Sequence, residues 1–344
     1  MTSRRPFLLA VAAVILFAAR SSAQSPSGYK LARKVHVGGD GGWDYLAVDA
    51  PARRLYVTHG ARVLVFDADT VTQVGEIPNT AGVHGVAIAP DLHRGFTSNG
   101  KTSTATIFDL KTLARIDEVK VNGENPDAIL YDPASKRVFA FNGRSANATV
   151  LDAASGKVEA TLPLGGKPEF ATTDLNGRVY VNIEDKSEIV VLDSKQPAVL
   201  QHWPLAPCEE PSGMAIDRKS HRLFIGCSNR KMAVVDAATG RVVTTLPIGD
   251  GVDANAFDPG TGLAFSSNGE GTLTVVSEES PDKFTVLENV ATQRGARTMA
   301  LDEKTHRIFL ATADFGPPPP ATAEQPHPRP SVIPDSFTIL VLDR

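Results

Sequence analysis

The chain has 344 residues, of which 42% are hydrophobic and 22% are charged, with 28 glycines and 24 prolines. This composition is that of a globular protein with a sizeable core and excludes a disordered or fibrous chain. The formal net charge of −4 provides no global attraction to nucleic acid or to an anionic membrane, so we expect neither as a partner.

The first 23 residues are predicted to be a signal peptide. Two arginines precede an apolar run from Phe7 to Ala19, and small residues follow up to a cleavage site after Ala23. The run is too short to span a bilayer comfortably, so the mature protein is expected to be periplasmic or secreted, without a membrane anchor. The segment "SRRPFL" also resembles a twin-arginine motif, which leaves the export route open between that pathway and general secretion.

From residue 24 onwards, seven segments share one plan with a period of about 42 residues. Each segment has about four short strands and no convincing helix, and its first strand ends at an anchor position. The anchors are Asp49, Ala89, Asp132, Asp174, Asp217, Asp258 and Asp302. A repeat of this length and content is typical of a propeller blade. The sequence therefore predicts an all-β fold, a seven-bladed β-propeller that forms a single domain over residues 24–344.

The last segment lacks a fourth strand. It stops at Arg344, whereas the strand-like stretch Tyr29–Val37 precedes the first complete segment and has no other place. Pairing the two removes sheet edges that would otherwise be left open. We therefore expect the N-terminal strand to complete blade seven and to close the ring.

Five residues before each anchor, where the innermost strand of each blade begins, the side chain is polar in all seven segments. These positions are Asp44, His84, Asp127, Glu169, Ser212, Asp253 and Arg297. They are expected to ring one mouth of the central channel as candidate ligand-binding residues. Polar residues also serve simply to solvate a channel mouth, and that alternative stays open. A purely structural position, however, would tend to repeat one residue type, and here the types differ.

Four carboxylates at one mouth repel one another, which raises their pKa values or requires a cation nearby. Divalent cations such as calcium or magnesium prefer carboxylate oxygens, and the candidate ligands are Asp44, Asp127, Glu169 and Asp253. Trp43 precedes the first of them and is a candidate platform for a ring-shaped ligand, unless it packs beneath its loop.

The two cysteines fall at the same end of blade five. Cys208 lies in the loop before the first strand of that blade, and Cys227 directly follows its second strand. In an exported protein, two cysteines so placed are more often a disulfide than a metal or nucleophile pair. We therefore expect a Cys208–Cys227 disulfide.

Blade seven carries a Pro-rich insertion at residues 316–336, between its second and third strands. The prolines favour extended chain without helix. By its position the insertion is expected to emerge at the acidic mouth, where it would act as a lid or docking arm, or remain a solvated loop.

Segments such as "RRLYVTHG", "KRVFAFNG" and "GRVYVNIED", with partners such as "VVDAATGRVVTTLPIG", resemble the YVTN-repeat, YncE-like β-propellers of exported bacterial proteins. The resemblance covers essentially all of the mature chain and implies the seven-bladed fold, which is a scaffold for many activities. Single-stranded DNA binding, associated with a YncE-like member, needs basic grooves and stacking aromatics that an acidic mouth does not offer. Propeller lactonases and gluconolactonase-like hydrolases are similar in architecture, and the latter hold a divalent cation with channel-mouth carboxylates.

Two classes of function follow. The favoured one is a non-catalytic, monomeric propeller that binds a small molecule or a protein partner at the acidic mouth. The alternative is a divalent-metal-dependent hydrolase or lyase of the lactonase type, in which the mouth carboxylates hold the cation and His84 acts as acid or base.

Overall fold

Seven four-stranded antiparallel sheets form a ring around a central channel. The structure is a computed structural model that describes residues 27–320, 328 and 330–344. The predicted signal peptide lies outside the described residues, and so does part of the Pro-rich insertion. Among the described residues, no helix is long and apolar enough to span a bilayer.

The strands follow the predicted period. After β1 (Lys30–His36), blade one comprises β2 (Trp43–Asp49), β3 (Arg54–His59), β4 (Arg62–Asp67) and β5 (Gln73–Pro78). Blade two comprises β6 (Val83–Ala89), β7 (Arg94–Asn99), β8 (Thr104–Asp109) and β9 (Arg115–Lys120), and blade three β10 (Pro126–Asp132), β11 (Arg137–Asn142), β12 (Asn147–Asp152) and β13 (Val158–Pro163). Blade four comprises β14 (Pro168–Thr173), β15 (Arg178–Ile183), β16 (Glu188–Asp193) and β17 (Ala198–Pro204).

Blade five comprises β18 (Pro211–Asp217), β19 (Arg222–Cys227), β20 (Lys231–Asp236) and β21 (Val242–Pro247), and blade six β22 (Val252–Asp258), β23 (Leu263–Asn268), β24 (Thr272–Ser280) and β25 (Lys283–Ala291). Blade seven comprises β26 (Thr298–Asp302), β27 (Arg307–Thr312), β28 (Thr338–Asp343) and β1. Within the described part of the chain, helical structure is limited to single 3-10 turns at Pro90–Leu92 and Glu184–Lys186.

The N-terminal strand closes the ring, as predicted. β1 pairs antiparallel with β28 along its whole length, from Lys30 opposite Asp343 to His36 opposite Thr338. The hydroxyl of Tyr29 also donates a hydrogen bond of 2.7 Å to the main-chain carbonyl of His306 in blade seven. Both ends of the chain therefore belong to one sheet, and the outer edge of β28 is covered.

The anchor aspartates stabilise turns and join neighbouring blades. The side chain of Asp132 is fully buried and accepts hydrogen bonds from the backbone N–H of Ser135 at 3.0 Å and from the hydroxyls of Thr173 and Ser194 at 2.7 and 2.6 Å. Thr173 and Ser194 belong to blade four. A buried carboxylate with three donors is fully compensated, so this residue type is structural at the anchor.

In three blades the last residue of the second strand is an asparagine whose side chain forms a hydrogen bond to the third strand. Asn99, Asn142 and Asn268 each donate from Nδ2 to a buried threonine hydroxyl of the third strand, at 2.9, 3.0 and 2.9 Å. In blade five this position is Cys227, which forms the predicted disulfide with Cys208, with a Cα–Cα distance of 5.5 Å. The disulfide of blade five thus involves the strand position at which three other blades have an asparagine–threonine hydrogen bond.

We predict that the ring depends on β1. A mature chain that lacks residues 24–38 would leave β28 with an open edge and should lose much of its thermal stability or aggregate. Melting temperature and light scattering measure this effect, and a chain that lacks only residues 24–26 is the control. An unchanged melting temperature in the longer deletion would show that the pairing of β1 with β28 does not hold the ring together.

Candidate functional site

The seven sequence-predicted ring residues lie at one mouth of the channel. Six of them are the second residue of an innermost strand, and Arg297 directly precedes β26. In those six blades the pairing of the innermost strand with its neighbour is irregular at this point, for example between Trp43 and Leu46 in blade one. Such a bulge redirects a side chain, which explains how an acid can open a strand whose other residues pack in the core.

Hydroxyls of the second strands satisfy the backbone groups that the irregular pairing leaves free. In blade one, Thr58 accepts a hydrogen bond from the N–H of Asp44 at 3.0 Å and donates to the carbonyl of Tyr45 at 3.1 Å. In blade two, Ser98 accepts from the N–H of Gly85 at 2.9 Å and donates to the carbonyl of Asp127 in the next blade. Hydrogen bonds within and between blades therefore fix the backbone that positions the seven mouth residues.

The mouth is the entrance to a blind pocket. Tyr45 and Phe170 each follow a ring residue, in blades one and four on opposite sides of the channel, and their rings meet edge to face with centroids 5.1 Å apart. They cross the channel directly below the ring. A cavity of about 280 Å³ lies above them and is lined by Asp44, Asp127, Glu169 and Asp253, among other polar residues.

Asp44, His84 and Asp127 form a triad from three adjacent blades. The Nδ1 atom of His84 lies 2.6 Å from Oδ2 of Asp44 and 3.6 Å from Oδ1 of Asp127. One ligand atom from each residue can be chosen so that all three lie within 4.8 Å of one another. A wider cleft of about 950 Å³, also lined by Asp44 and His84, opens from the triad over blades one to three.

The pKa values of the triad reflect burial and charge together. Burial alone would lower the pKa of His84, but the hydrogen bond to Asp44 and the negative charge of Asp127 outweigh burial and raise it. Burial, with repulsion from Asp44, raises the pKa of Asp127 to about 6, even though His84 acts in the opposite direction. The negative charges of Asp44 and Asp127 therefore favour the protonated form of the His84 imidazole.

Glu169 lies on the far side of the blind pocket from blade one. Burial and repulsion from Asp127 raise its pKa to about 8. Lys167 offsets this only in part, because its Nζ atom contacts Glu184 closely and lies 3.5 Å from Oε2 of Glu169. That distance makes an ion pair but no hydrogen bond, and Oε2 has no hydrogen-bond partner within the described structure.

The remaining ring residues complete the pocket. Asp253 is almost fully buried, accepts a hydrogen bond of 3.1 Å from the Ser212 hydroxyl, and lies 3.3 Å from Nε of Arg297. Burial raises its pKa in spite of Arg297. Five carboxyl groups, including that of Glu184, thus share the mouth with three basic side chains, those of Lys167, Arg297 and His84.

Trp43 both packs beneath a loop and lines open space. Its ring contacts Phe337 and Phe315, with centroid distances of 5.2 and 6.3 Å. It is half-buried, and it lines the wide cleft as well as a second cleft beside the insertion. Packing and ligand contact are therefore compatible for this side chain.

Four residues of the pocket were not expected from the sequence: Tyr45, Phe170, Lys167 and Glu184. Four residues before the anchors, five blades have small or short side chains, whereas blades one and four have Tyr45 and Phe170. That contrast was visible in the sequence and predicts a blocked channel. Lys167 and Glu184 had no such signal, because loop charges of both signs occur in most blades.

Comparisons with known proteins support the fold and leave the function open. No protein-family model and no curated protein matches the chain. Its structure is similar to a chain in "Crystal Structure of Mitotic Checkpoint Complex", with a TM-score of 0.73, 13% identity and coverage of 100% of this chain and 99% of that chain. It is also similar to a chain of Kuenenia stuttgartiensis hydrazine synthase, with a TM-score of 0.69, 15% identity and coverage of 80% and 94%. The chain is a seven-bladed β-propeller, and at these identities nothing further carries over.

We predict opposite effects for two aspartates five residues apart. Asp127→Asn removes a desolvated, repelled carboxylate and should leave the melting temperature of chelator-treated protein unchanged or raise it. Because its folded-state pKa of about 6 exceeds the usual unfolded value of about 3.9, its charge destabilises the fold increasingly as pH rises through that interval. Any increase in the melting temperature of Asp127→Asn over the wild type should therefore be larger at pH 8 than at pH 4.

Asp132→Asn is the matched comparison. It weakens a buried network of three donors and should reduce the free energy of unfolding by about 1–3 kcal/mol. Thermal denaturation of both variants at the two pH values measures the difference. Equal destabilisation by the two substitutions would show that Asp127, too, is a structural residue.

Proposed function

We propose that the protein is an exported, non-catalytic binding propeller of the YVTN-repeat, YncE-like type, which holds a divalent cation in its blind acidic pocket and through it a small ligand. The observation behind this proposal is the triad of Asp44, His84 and Asp127, whose ligand atoms lie within 4.8 Å of one another at a mouth where carboxyl groups outnumber basic side chains. The disulfide supports export, since disulfides persist in oxidising compartments.

A cation would relieve the electrostatic strain of this pocket. In its absence, the repulsion among the carboxyl groups is opposed only by the basic side chains of Lys167, Arg297 and His84 and is reflected in the raised pKa values of Asp127 and Glu169. A bound divalent cation would replace the proton on Nδ1 of His84 and would be held by that atom and by oxygens of Asp44 and Asp127. Three protein ligands leave coordination positions for water or an incoming ligand, as in other open metal sites.

The donor set favours a particular kind of cation. Calcium and magnesium prefer oxygen ligands throughout, whereas imidazole suits transition metals. Two carboxylates with one imidazole therefore favour manganese or zinc, and this refines the expectation of calcium or magnesium from the carboxylates alone. Glu169 and Asp253 would contribute negative charge from the pocket wall.

Manganese binding tests the proposal. Isothermal titration of chelator-treated protein with Mn²⁺ should show one site per chain, and Asp127→Asn or His84→Gln should weaken it about tenfold or more. Asp250→Asn is the control, because it removes the same charge from a carboxylate that pairs with Arg230 at 3.0 Å outside the triad. Equal Mn²⁺ affinity in Asp127→Asn and Asp250→Asn would contradict the proposal.

A metal-dependent hydrolase of the lactonase type is the alternative, and Glu169 is the observation that favours it. A carboxyl with a pKa of about 8 at the pocket wall has the properties of a general acid–base group. Turnover of small lactones by Mn²⁺-loaded protein, lost in Glu169→Gln with Mn²⁺ binding retained, would establish this alternative. Binding without turnover in the wild type is the result that our proposal predicts.

A further inference from the structure

A second cleft lies beside the acidic mouth, under the two stems of the Pro-rich insertion. Its volume is about 430 Å³, and its principal side chains are Trp43, Arg294, Arg297, Phe315 and Val332. We call it the aromatic cleft. Its size and its combination of apolar walls with a few charged groups are typical of small-molecule sites.

The apolar wall is held in place by the described stems of the insertion. Phe315 and Val332 form an antiparallel bridge, and hydrogen bonds of 2.9 Å from Gly316 N–H to the Ser331 carbonyl and of 2.8 Å from Ile333 N–H to the Asp314 carbonyl fix the two stems together. The ring of Phe315 lies 6.3 Å from that of Trp43, with the planes inclined at 52°. The two rings thus form one continuous aromatic wall.

Phe315 is seated on a glycine that leaves no room for a side chain. A Cβ at Gly295 would lie 2.4 Å from the ring of Phe315, and the φ of Gly295 is +80°. A glycine is required here both by the close approach and by the backbone conformation. The backbone floor of the cleft is therefore fitted to the aromatic ring that covers it.

The cleft also presents two guanidinium groups. Arg297 also forms an ion pair with Asp253, in which Nε of Arg297 lies 3.3 Å from Oδ2 of Asp253. Arg294 is exposed, and within the described residues its guanidinium has neither an ion pair nor a hydrogen bond. A guanidinium offers planar, paired N–H donors whose geometry matches a carboxylate, and here they lie beside aromatic side chains.

We propose that the aromatic cleft binds a small aryl carboxylate, with its ring against Trp43 and Phe315 and its carboxylate at Arg294 and Arg297. The carboxylates of the neighbouring mouth, Asp253 foremost, repel negative charge, so a monoanion is favoured over a dianion such as a phosphate monoester. This site goes beyond the cation site and does not require it.

Equilibrium dialysis of 2-naphthoate against full-length mature protein, treated with chelator, tests the proposal. We expect saturable binding that weakens about tenfold or more in Arg294→Gln and that is retained in Arg241→Gln, the control that removes one exposed guanidinium elsewhere on the surface. The neutral amide 2-naphthamide should bind at least tenfold more weakly than 2-naphthoate.

The proposal is overturned if 2-naphthoate does not bind, if Arg294→Gln and Arg241→Gln bind it equally, or if the amide binds as well as the acid. The assay contains no metal, and Mn²⁺ titration contains no naphthoate, so failure of this inference and failure of the cation proposal are separate results.

Discussion

The convergence of seven innermost strands on one channel is the constraint on which the site depends. Six of these strands contribute their second residue, and Arg297 directly precedes the seventh; in the six, irregular pairing at that point aims the side chain at the channel. Tyr45 and Phe170 block the channel directly below, so the acidic groups share a blind, partly desolvated pocket. Burial and mutual repulsion then raise the pKa values of Asp127, Glu169 and Asp253.

The same residue type has two roles within one strand. Asp132 at the anchor is buried with three hydrogen-bond donors, so its charge is compensated and its turn is tied to the next blade. Asp127, five residues earlier, is half-buried, and the basic side chains of His84 and Lys167 oppose its charge without outweighing burial and repulsion, so a raised pKa results. The two aspartates therefore differ in their hydrogen-bond donors: Asp132 has three, and the charge of Asp127 is left without such compensation.

The sequence predicted the fold, the closure of the ring by β1, the disulfide and the shared mouth, because each follows from a repeat register that fixes which residues lie at one level. It did not predict what depends on side-chain reach across the channel or between loops. The contact between Tyr45 and Phe170 joins residues far apart in sequence, and the contacts of Lys167 with Glu169 and of Phe315 with Gly295 depend on how loop residues are oriented. The sequence does carry a signal for the contact between Tyr45 and Phe170. Four residues before the anchor, blades one and four have an aromatic residue where the other blades have a small or short one.

The central claim is that Asp44, His84 and Asp127 bind a divalent cation at the mouth of the channel. The most direct measurement is an anomalous-difference map from a crystal of the mature protein grown with Mn²⁺. Our account predicts a peak between these three side chains, with His84 Nδ1 turned from Asp44 to the metal. A map without a peak at the triad, with His84 still paired to Asp44 at 2.6 Å, would contradict it.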